Sequence, residues 1–184
     1  LRKKYWVYYV LTFLKGARRQ IFMVFAAFLL VEKFGYSLDE VVMLLLANKA
    51  ANIFVAPLIG KIIEKIGERR ALSIEYTGLI AVFIGYALVD DAFIAAALFI
   101  LDHLFFAMAI GIKTYFQKIA DSKDMAATAS VSFTIDHIAS VIIPVTFGYV
   151  WMYDPSLVFY AGAGFAVLSL IASNLIPHAP SPGN

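Results

Sequence analysis

Six stretches of about 20 apolar residues follow one another along the chain, and they restrict what it can fold into. They cover about 5–32, 40–60, 71–89, 92–113, 125–151 and 156–176. A hydrocarbon core about 30 Å thick is crossed by roughly 20 residues of helix, so each stretch has the length of a membrane span. The chain is 62% hydrophobic, whereas soluble domains are about 45–50% apolar. We therefore predict an all-α membrane protein with six transmembrane helices.

Short polar or turn-forming segments separate these stretches, and no long linker interrupts them. This spacing predicts one six-helix domain over residues 1–178. We expect residues 179–184, at the end of "HAPSPGN", to form a flexible cytoplasmic tail. The chain begins with Leu1 rather than Met, and we expect it to be a piece of a longer protein.

Positive charge is concentrated at alternate ends of the predicted spans. By the positive-inside rule, both termini and the second and fourth loops are predicted to be cytoplasmic. We expect an integral protein of a bacterial inner (plasma) membrane, and we read the formal net charge of +2 as a topology signal rather than as a sign of nucleic-acid binding. The charges in question are Arg2, Lys3, Lys4, Lys61, Lys65, Arg69, Arg70, Lys113, Lys118 and Lys123.

The first apolar stretch is interrupted by "KGARRQ", which holds Lys15, Arg18, Arg19 and Gln20. The apolar runs on either side would each make roughly 15 Å of helix, half of what a crossing needs. The cations must therefore lie within one helix. Lys15 and Arg19 are four residues apart and share a face, which Arg18 widens. Such a stripe should face water or protein, although long side chains can also snorkel towards the membrane surface.

Three other spans also carry polar side chains near the middle of the membrane, whereas the third and sixth carry almost none. The third has only Glu75, near its end. The polar groups are Asn48, Lys49 and Asn52 in the second span, Asp102 and His103 in the fourth, and Asp136 and His137 in the fifth.

The second polar segment, "GKIIEKIGERR", resembles the loop that follows the second helix of each half in the major facilitator superfamily. That loop has a Gly, an acid four residues later, a basic residue, a second Gly and then a basic cluster. Here the matching residues are Gly60, Glu64, Lys65, Gly67, Arg69 and Arg70, which the resemblance implies act as a gating loop.

The resemblance implies that the chain is the C-terminal six-helix half of such a transporter. Its two three-helix repeats, about 5–89 and 91–176, would be related by inversion. The first, second, fourth and fifth helices would line the central cavity or the contact with the other half. The implied partner is the missing N-terminal six-helix half or a second copy of this half, within a lipid bilayer.

The deep charges predict an anionic solute, because four cations and two carboxylates leave an excess of positive charge in a low-dielectric site. An arginine could bind an oxyanion with its planar fork. The alternative is a permanent ion-pair network in which Arg18 or Arg19 is paired with Asp102 or Asp136. The candidate substrate-binding residues are Lys15, Arg18, Arg19, Gln20, Asn48, Lys49 and Asn52.

The two Asp–His pairs are candidates for proton coupling, since His titrates near neutral pH. Adjacent helical residues point about 100° apart, so at most one member of each pair should face a central cavity. The residues are Asp102, His103, Asp136 and His137. Together they could also hold a divalent metal, but the nearby cations oppose this, and we predict no metal or other cofactor.

We therefore expect a secondary transporter that moves a small, anionic solute by alternating access coupled to protons, and we do not expect an enzyme. One alternative is a non-transporting membrane scaffold or subunit with internally paired charges. Another is drug or metal efflux within the same superfamily.

Overall fold

The computed structural model describes residues 3–176, and these form helices without a β-strand. The predicted tail at 179–184 lies outside the described residues. A 3₁₀ turn, Lys3–Tyr5, leads into α1, Trp6–Gln20, which continues through a π-helical segment, Ile21–Ala26, into α2, Ala27–Glu32. The remaining helices are α3, Leu38–Ile66; α4, Glu68–Leu88; α5, Ala92–Phe106; α6, Ile110–Ile119; α7, Ser122–Tyr153; and α8, Pro155–Ser173. A 3₁₀ turn, Ala107–Ala109, joins α5 to α6.

Five of the helices in the described part of the chain are long and apolar enough to cross a membrane. They are α3, α4, the continuous helix Ala92–Ile119, α7 and α8. The first apolar stretch is also helical from Lys3 to Glu32, but the π-helical segment divides it into shorter pieces. The helical class is therefore confirmed, whereas a span at residues 5–32, the total of six spans and the inverted repeat stay predictions.

Side-chain caps fix where several helices begin. Ser37 Oγ accepts a hydrogen bond from the Glu40 N–H, and Glu40 Oε2 accepts one from the Ser37 N–H, which forms a capping box at α3. Asp91 caps α5 through the Ile94 N–H, and Asp154 caps α8 ahead of Pro155. These caps satisfy backbone donors that a helix start leaves free.

The polar segments "GKIIEKIGERR" and "QKIADSKD", predicted as the second and fourth loops, are mostly helical. The prediction therefore made both loops too long. α3 continues to Ile66 and α4 begins at Glu68, leaving Gly67 as the only residue between them. Gly67 has φ of +83°, a conformation that residues with a Cβ rarely adopt. Lys and Glu are good helix formers, so the polar residues extend the helices and the glycine alone turns the chain.

The first helix lies in the middle of the bundle, with α7 and α8 packed against α1. α4 and α8 pack along each other, and 44% of an 18-residue apolar stretch in each helix is buried. The corresponding fraction is only 11% in α3 and 17% in α7. Within this chain, α3 and α7 therefore present broad apolar faces that no other described helix covers.

Gly16 permits the close approach of α1 to α7. A Cβ built on Gly16 would lie 3.0 Å from the Ala139 Cβ and 3.1 Å from Asp136 Oδ1. The new Cβ and the Ala139 Cβ are both fixed to their backbones, so any larger residue at position 16 must push α1 and α7 apart. By contrast, a Cβ at Gly164 in α8 would meet no atom within 4 Å.

We expect Gly16→Ala to destabilise the protein, although alanine is the better helix former by about 1 kcal/mol. The matched control Gly164→Ala should leave stability unchanged or raise it, since its new methyl group enters open space. Thermal unfolding of both variants in detergent provides the comparison. Gains of equal size from both substitutions would show that α1 and α7 are not in close contact.

Candidate functional site

A cleft of about 390 Å³ opens between α1, α3 and the α5–α6 helix, and its polar lining is cationic. Four Lys or Arg side chains face it, and no carboxylate is among the described residues that line it. Aromatic and other apolar side chains complete the walls. The lining residues are Lys15, Arg19, Phe22, Met23, Lys49, Asn52, His103, Phe106, Ala107, Ala109, Ile110 and Lys113.

Lys113 was not predicted as a site residue, because it was assigned to the basic residues that mark the cytoplasmic ends of the spans. It lies in α6, inside the helix rather than in a loop. The signal was present in the spacing, since His103, Phe106, Ile110 and Lys113 recur at intervals of three and four residues. That spacing places residues on one helix face, and all four line the cleft.

Lys15 differs from the other cations of the cleft because it has a carboxylate partner. Lys15 Nζ lies 3.1 Å from Asp136 Oδ2 in α7, and the two groups stand at a second cleft of about 340 Å³ between α1, α6 and α7. In the part of the chain that the structure describes, no carboxylate lies within ion-pair distance of Arg19, Lys49 or Lys113. Those three positive charges remain uncompensated.

Arg18 points away from the cleft and is only 1% exposed. Its Nε donates to the Leu14 carbonyl at 3.3 Å, and its guanidinium lies 4.5 Å from the centre of the Tyr76 ring. Arg18 Nη2 is 3.7 Å from Oε1 of the fully buried Glu75, an ion-pair distance that is too long for a hydrogen bond.

The observed partner of Arg18 differs from the Asp102 or Asp136 that the sequence analysis considered. Glu75 was identified in the third predicted span but was given no role, because it is a single carboxylate near the end of that span. α1 and α4 both pack against α8, and α1 also packs against α7. Glu75 on α4 is therefore fully buried and reaches Arg18 on α1.

The two Asp–His pairs are divided between different surroundings, as the 100° step between adjacent residues predicts. Asp102 is buried at 1% exposure, whereas His103 lines the cleft. In the second pair Asp136 binds Lys15, while His137 is exposed and its Nδ1 lies 2.9 Å from the Phe133 carbonyl.

The remaining polar candidates lie in two places, at the contact between α1 and α7 and in a cavity beside His103. Gln20 donates to Ser140 Oγ at 3.0 Å and so joins α1 to α7. Asn48 and Asn52 line a small cavity of about 60 Å³ beside His103. Asn48 Nδ2 and Asn52 Oδ1 are buried with no hydrogen-bond partner among the described residues, so they are available to a solute or to water.

The predicted gating loop is a corner between two helices. Gly60, Glu64 and Lys65 lie on α3, Gly67 makes the turn, and Arg69 and Arg70 lie on α4. Two contacts hold this corner in place. Lys118 Nζ is 2.6 Å from Oε1 of the buried Glu68, and Arg69 Nη2 donates to Asn174 Oδ1 at 3.1 Å.

The structure does not support the metal alternative built on the Asp–His pairs. Across residues 3–176, no group of three or more His, Asp or Glu side chains is placed to hold a metal ion. Asp102 lies in the interior and His137 on the exposed face, which separates the four proposed ligands.

Comparison with known proteins gives one family. The model of the Major Facilitator Superfamily matches residues 1–144, which include the "KGARRQ" segment, both Asp–His pairs and the α3–α4 corner. A search of curated protein sequences gives no match.

We expect Arg18→Gln to destabilise the protein by about 3–5 kcal/mol, because it leaves Glu75 buried without its cation. Adding Glu75→Gln should restore much of that loss. The exposed pair of Lys33 and Asp90 is the control, and Lys33→Gln should cost about 0–1 kcal/mol. Unfolding in mixed micelles compares the unsubstituted protein with Arg18→Gln, Glu75→Gln, the double variant and Lys33→Gln. A double variant that loses the sum of the two single losses would contradict the pairing.

Proposed function

Since the chain belongs to the major facilitator superfamily, we propose that it is a secondary transporter that moves a small anionic solute across the membrane by alternating access. Members of this family carry solutes rather than catalyse reactions, and the proposal gives this chain the same role. The observation that carries the proposal is the cationic cleft, in which Arg19, Lys49 and Lys113 lack carboxylate partners among the described residues.

Charge is the reason that an anion suits this cleft. Unpaired positive charges in a membrane protein are costly, and a negatively charged solute offsets that cost while it is bound. Arg19 offers a planar fork suited to carboxylate or phosphate, and Lys49 and Lys113 add point charges. Asn48 and Asn52 supply neutral hydrogen-bonding groups beside them.

We also propose that the chain works with a second six-helix unit, either an N-terminal half or another copy. The apolar faces of α3 and α7 support this, because the most apolar window of each helix is largely unburied within the chain. In this proposal Lys3–Glu32 is the first of six membrane spans, and the membrane is the bacterial inner membrane. Both termini are cytoplasmic, in line with the distribution of Lys and Arg.

Proton coupling is proposed to involve Asp102. Asp102 and Glu75 are both buried, and Arg18, which is buried as well, lies 3.7 Å from Glu75. If both carboxylates were ionised, the three groups would carry a net negative charge, which is unfavourable in the interior. One bound proton makes the group neutral. Asp136 is the less suitable carrier because its carboxylate is paired with Lys15.

A non-transporting scaffold with internally paired charges is a second candidate. It is favoured by the Arg18–Glu75 and Lys15–Asp136 pairs, each of which links α1 to another helix. It gives no role to the three unpaired cations of the cleft. Efflux of hydrophobic drugs would use the aromatic walls, Phe22 and Phe106, but the same cations would repel cationic drugs.

Anion binding can be tested by thermal stabilisation, because a ligand of the folded state raises its stability. The panel contains small carboxylates, phosphate esters and, for comparison, the organic cation tetraphenylphosphonium. We expect at least one anion to raise the unfolding temperature, and Arg19→Gln and Lys49→Gln to weaken its binding about tenfold or more.

Lys61→Gln is the matched control, since Lys61 lies twelve residues beyond Lys49 on α3 and does not line the cleft. It should bind the anion as the unsubstituted protein does. Stabilisation by the organic cation, unaffected by Arg19→Gln, would overturn the proposal in favour of drug efflux. Absence of any response would favour the scaffold.

Proton coupling can be tested with the stabilising anion in proteoliposomes. We expect Asp102→Asn to abolish accumulation driven by a pH gradient and to retain solute exchange, which needs no net proton movement. Asp136→Asn is the comparison. The same separation of activities in Asp136→Asn, with Asp102→Asn unaffected, would assign the proton to the other carboxylate.

A further inference from the structure

Lys113 adds a charge to the cleft that an anion with a single charge would leave uncompensated. The cleft is lined by Lys15, Arg19, Lys49 and Lys113, and of these Lys15 has a carboxylate partner, Asp136. Even with His103 neutral, three positive charges therefore remain without a partner among the described residues. A monoanion would offset one of the three.

Lys113 lies at one end of the cleft, where the cleft meets its neighbour. It lies ten residues beyond His103 on the continuous α5–α6 helix, which is about 15 Å of rise. It lines the cleft shared with Arg19 and Lys49, and also the neighbouring cleft that contains Lys15 and Asp136. Arg19 and Lys49 come from other helices, so the cations approach the space from different sides.

The walls between the cations suit a carbon skeleton. Phe22, Met23 and Phe106 line the same space, and its volume of about 390 Å³ falls in the range of pockets that hold small organic ligands, roughly 300–1,000 Å³. A small inorganic ion would leave these apolar surfaces without contact. The fitting ligand is therefore an organic molecule with more than one negative charge.

We propose that the cleft selects organic anions with two or more negative charges, namely dicarboxylates or phosphate monoesters, and that Lys113 sets this preference over monoanions. This inference rests on the proposed function and adds the charge of the solute to it. Arg19 and Lys49 bind the first anionic charge, and Lys113 binds the second. Removal of Lys113 should therefore weaken the binding of dianions far more than that of monoanions.

The test uses pairs of compounds that differ in one charge, with the purified protein in detergent at pH 8. Succinate is compared with monomethyl succinate, and phenyl phosphate with methyl phenyl phosphate; at this pH phosphate monoesters are dianions because their second pKa is about 6. Apparent dissociation constants come from the ligand dependence of the unfolding temperature. The two pairs also separate carboxylate from phosphate as the preferred group.

We expect at least one dianion to bind about tenfold or more tightly than its singly charged methyl ester. Lys113→Gln should reduce that ratio to about threefold or less while affinity for the methyl ester changes little. Lys113→Arg, which keeps the charge, should restore the preference and shows that position 113 tolerates substitution. Lys61→Gln, outside the cleft, should keep the full ratio.

Equal binding of both members of each pair would overturn the inference. So would a loss in Lys113→Gln that weakens the dianion and its methyl ester alike, since Lys113 would then be a general electrostatic contributor. Monoanion binding that depends on Arg19, without a preference for dianions, would refute this inference and leave the proposed function standing. Failure of every anion to bind would refute both.

Discussion

The bundle depends on how a single helix accommodates three cations within an apolar environment. α1 carries Lys15, Arg18 and Arg19 on one and a half turns, and each is provided for differently. Lys15 pairs with Asp136 on α7, Arg18 with Glu75 on α4, and Arg19 faces the open cleft. Around the helix axis Lys15 lies between the other two, about 40° from Arg19 and about 60° from Arg18, so the two arginines point about 100° apart.

This arrangement joins stability to function in the same segment. Gly16 lets α7 approach closely enough for Asp136 to reach Lys15. Phe22 and Met23, which line the cleft, lie within the π-helical segment that follows Gln20. π-helical turns often lie at functional sites. The internal pairs fix α1 against its neighbours, and Arg19 of the same helix remains available to a solute together with Lys49 of α3 and Lys113 of α6.

Some features of the site follow from spacing along the chain. The length of the apolar runs already required the "KGARRQ" cations to lie inside a helix, and the helical step already separated each Asp from its adjacent His. The stripe from His103 to Lys113 could also have been read from its intervals. The partner of Arg18 could not, because Glu75 is 57 residues away on α4 and nothing in the local sequence shows that these two side chains meet.

The sequence by itself determined the helical class, the apolar lengths suited to a membrane and the family, since these depend on composition, periodicity and local motifs. Even the turn at Gly67 has a local cause, its positive φ. Only the tertiary structure decided which charges are paired and which are free. Each of the two salt bridges of α1 joins side chains from distant segments within about 4 Å, and that distance is set by how whole helices pack. The three cations of one short segment therefore acquired three different roles.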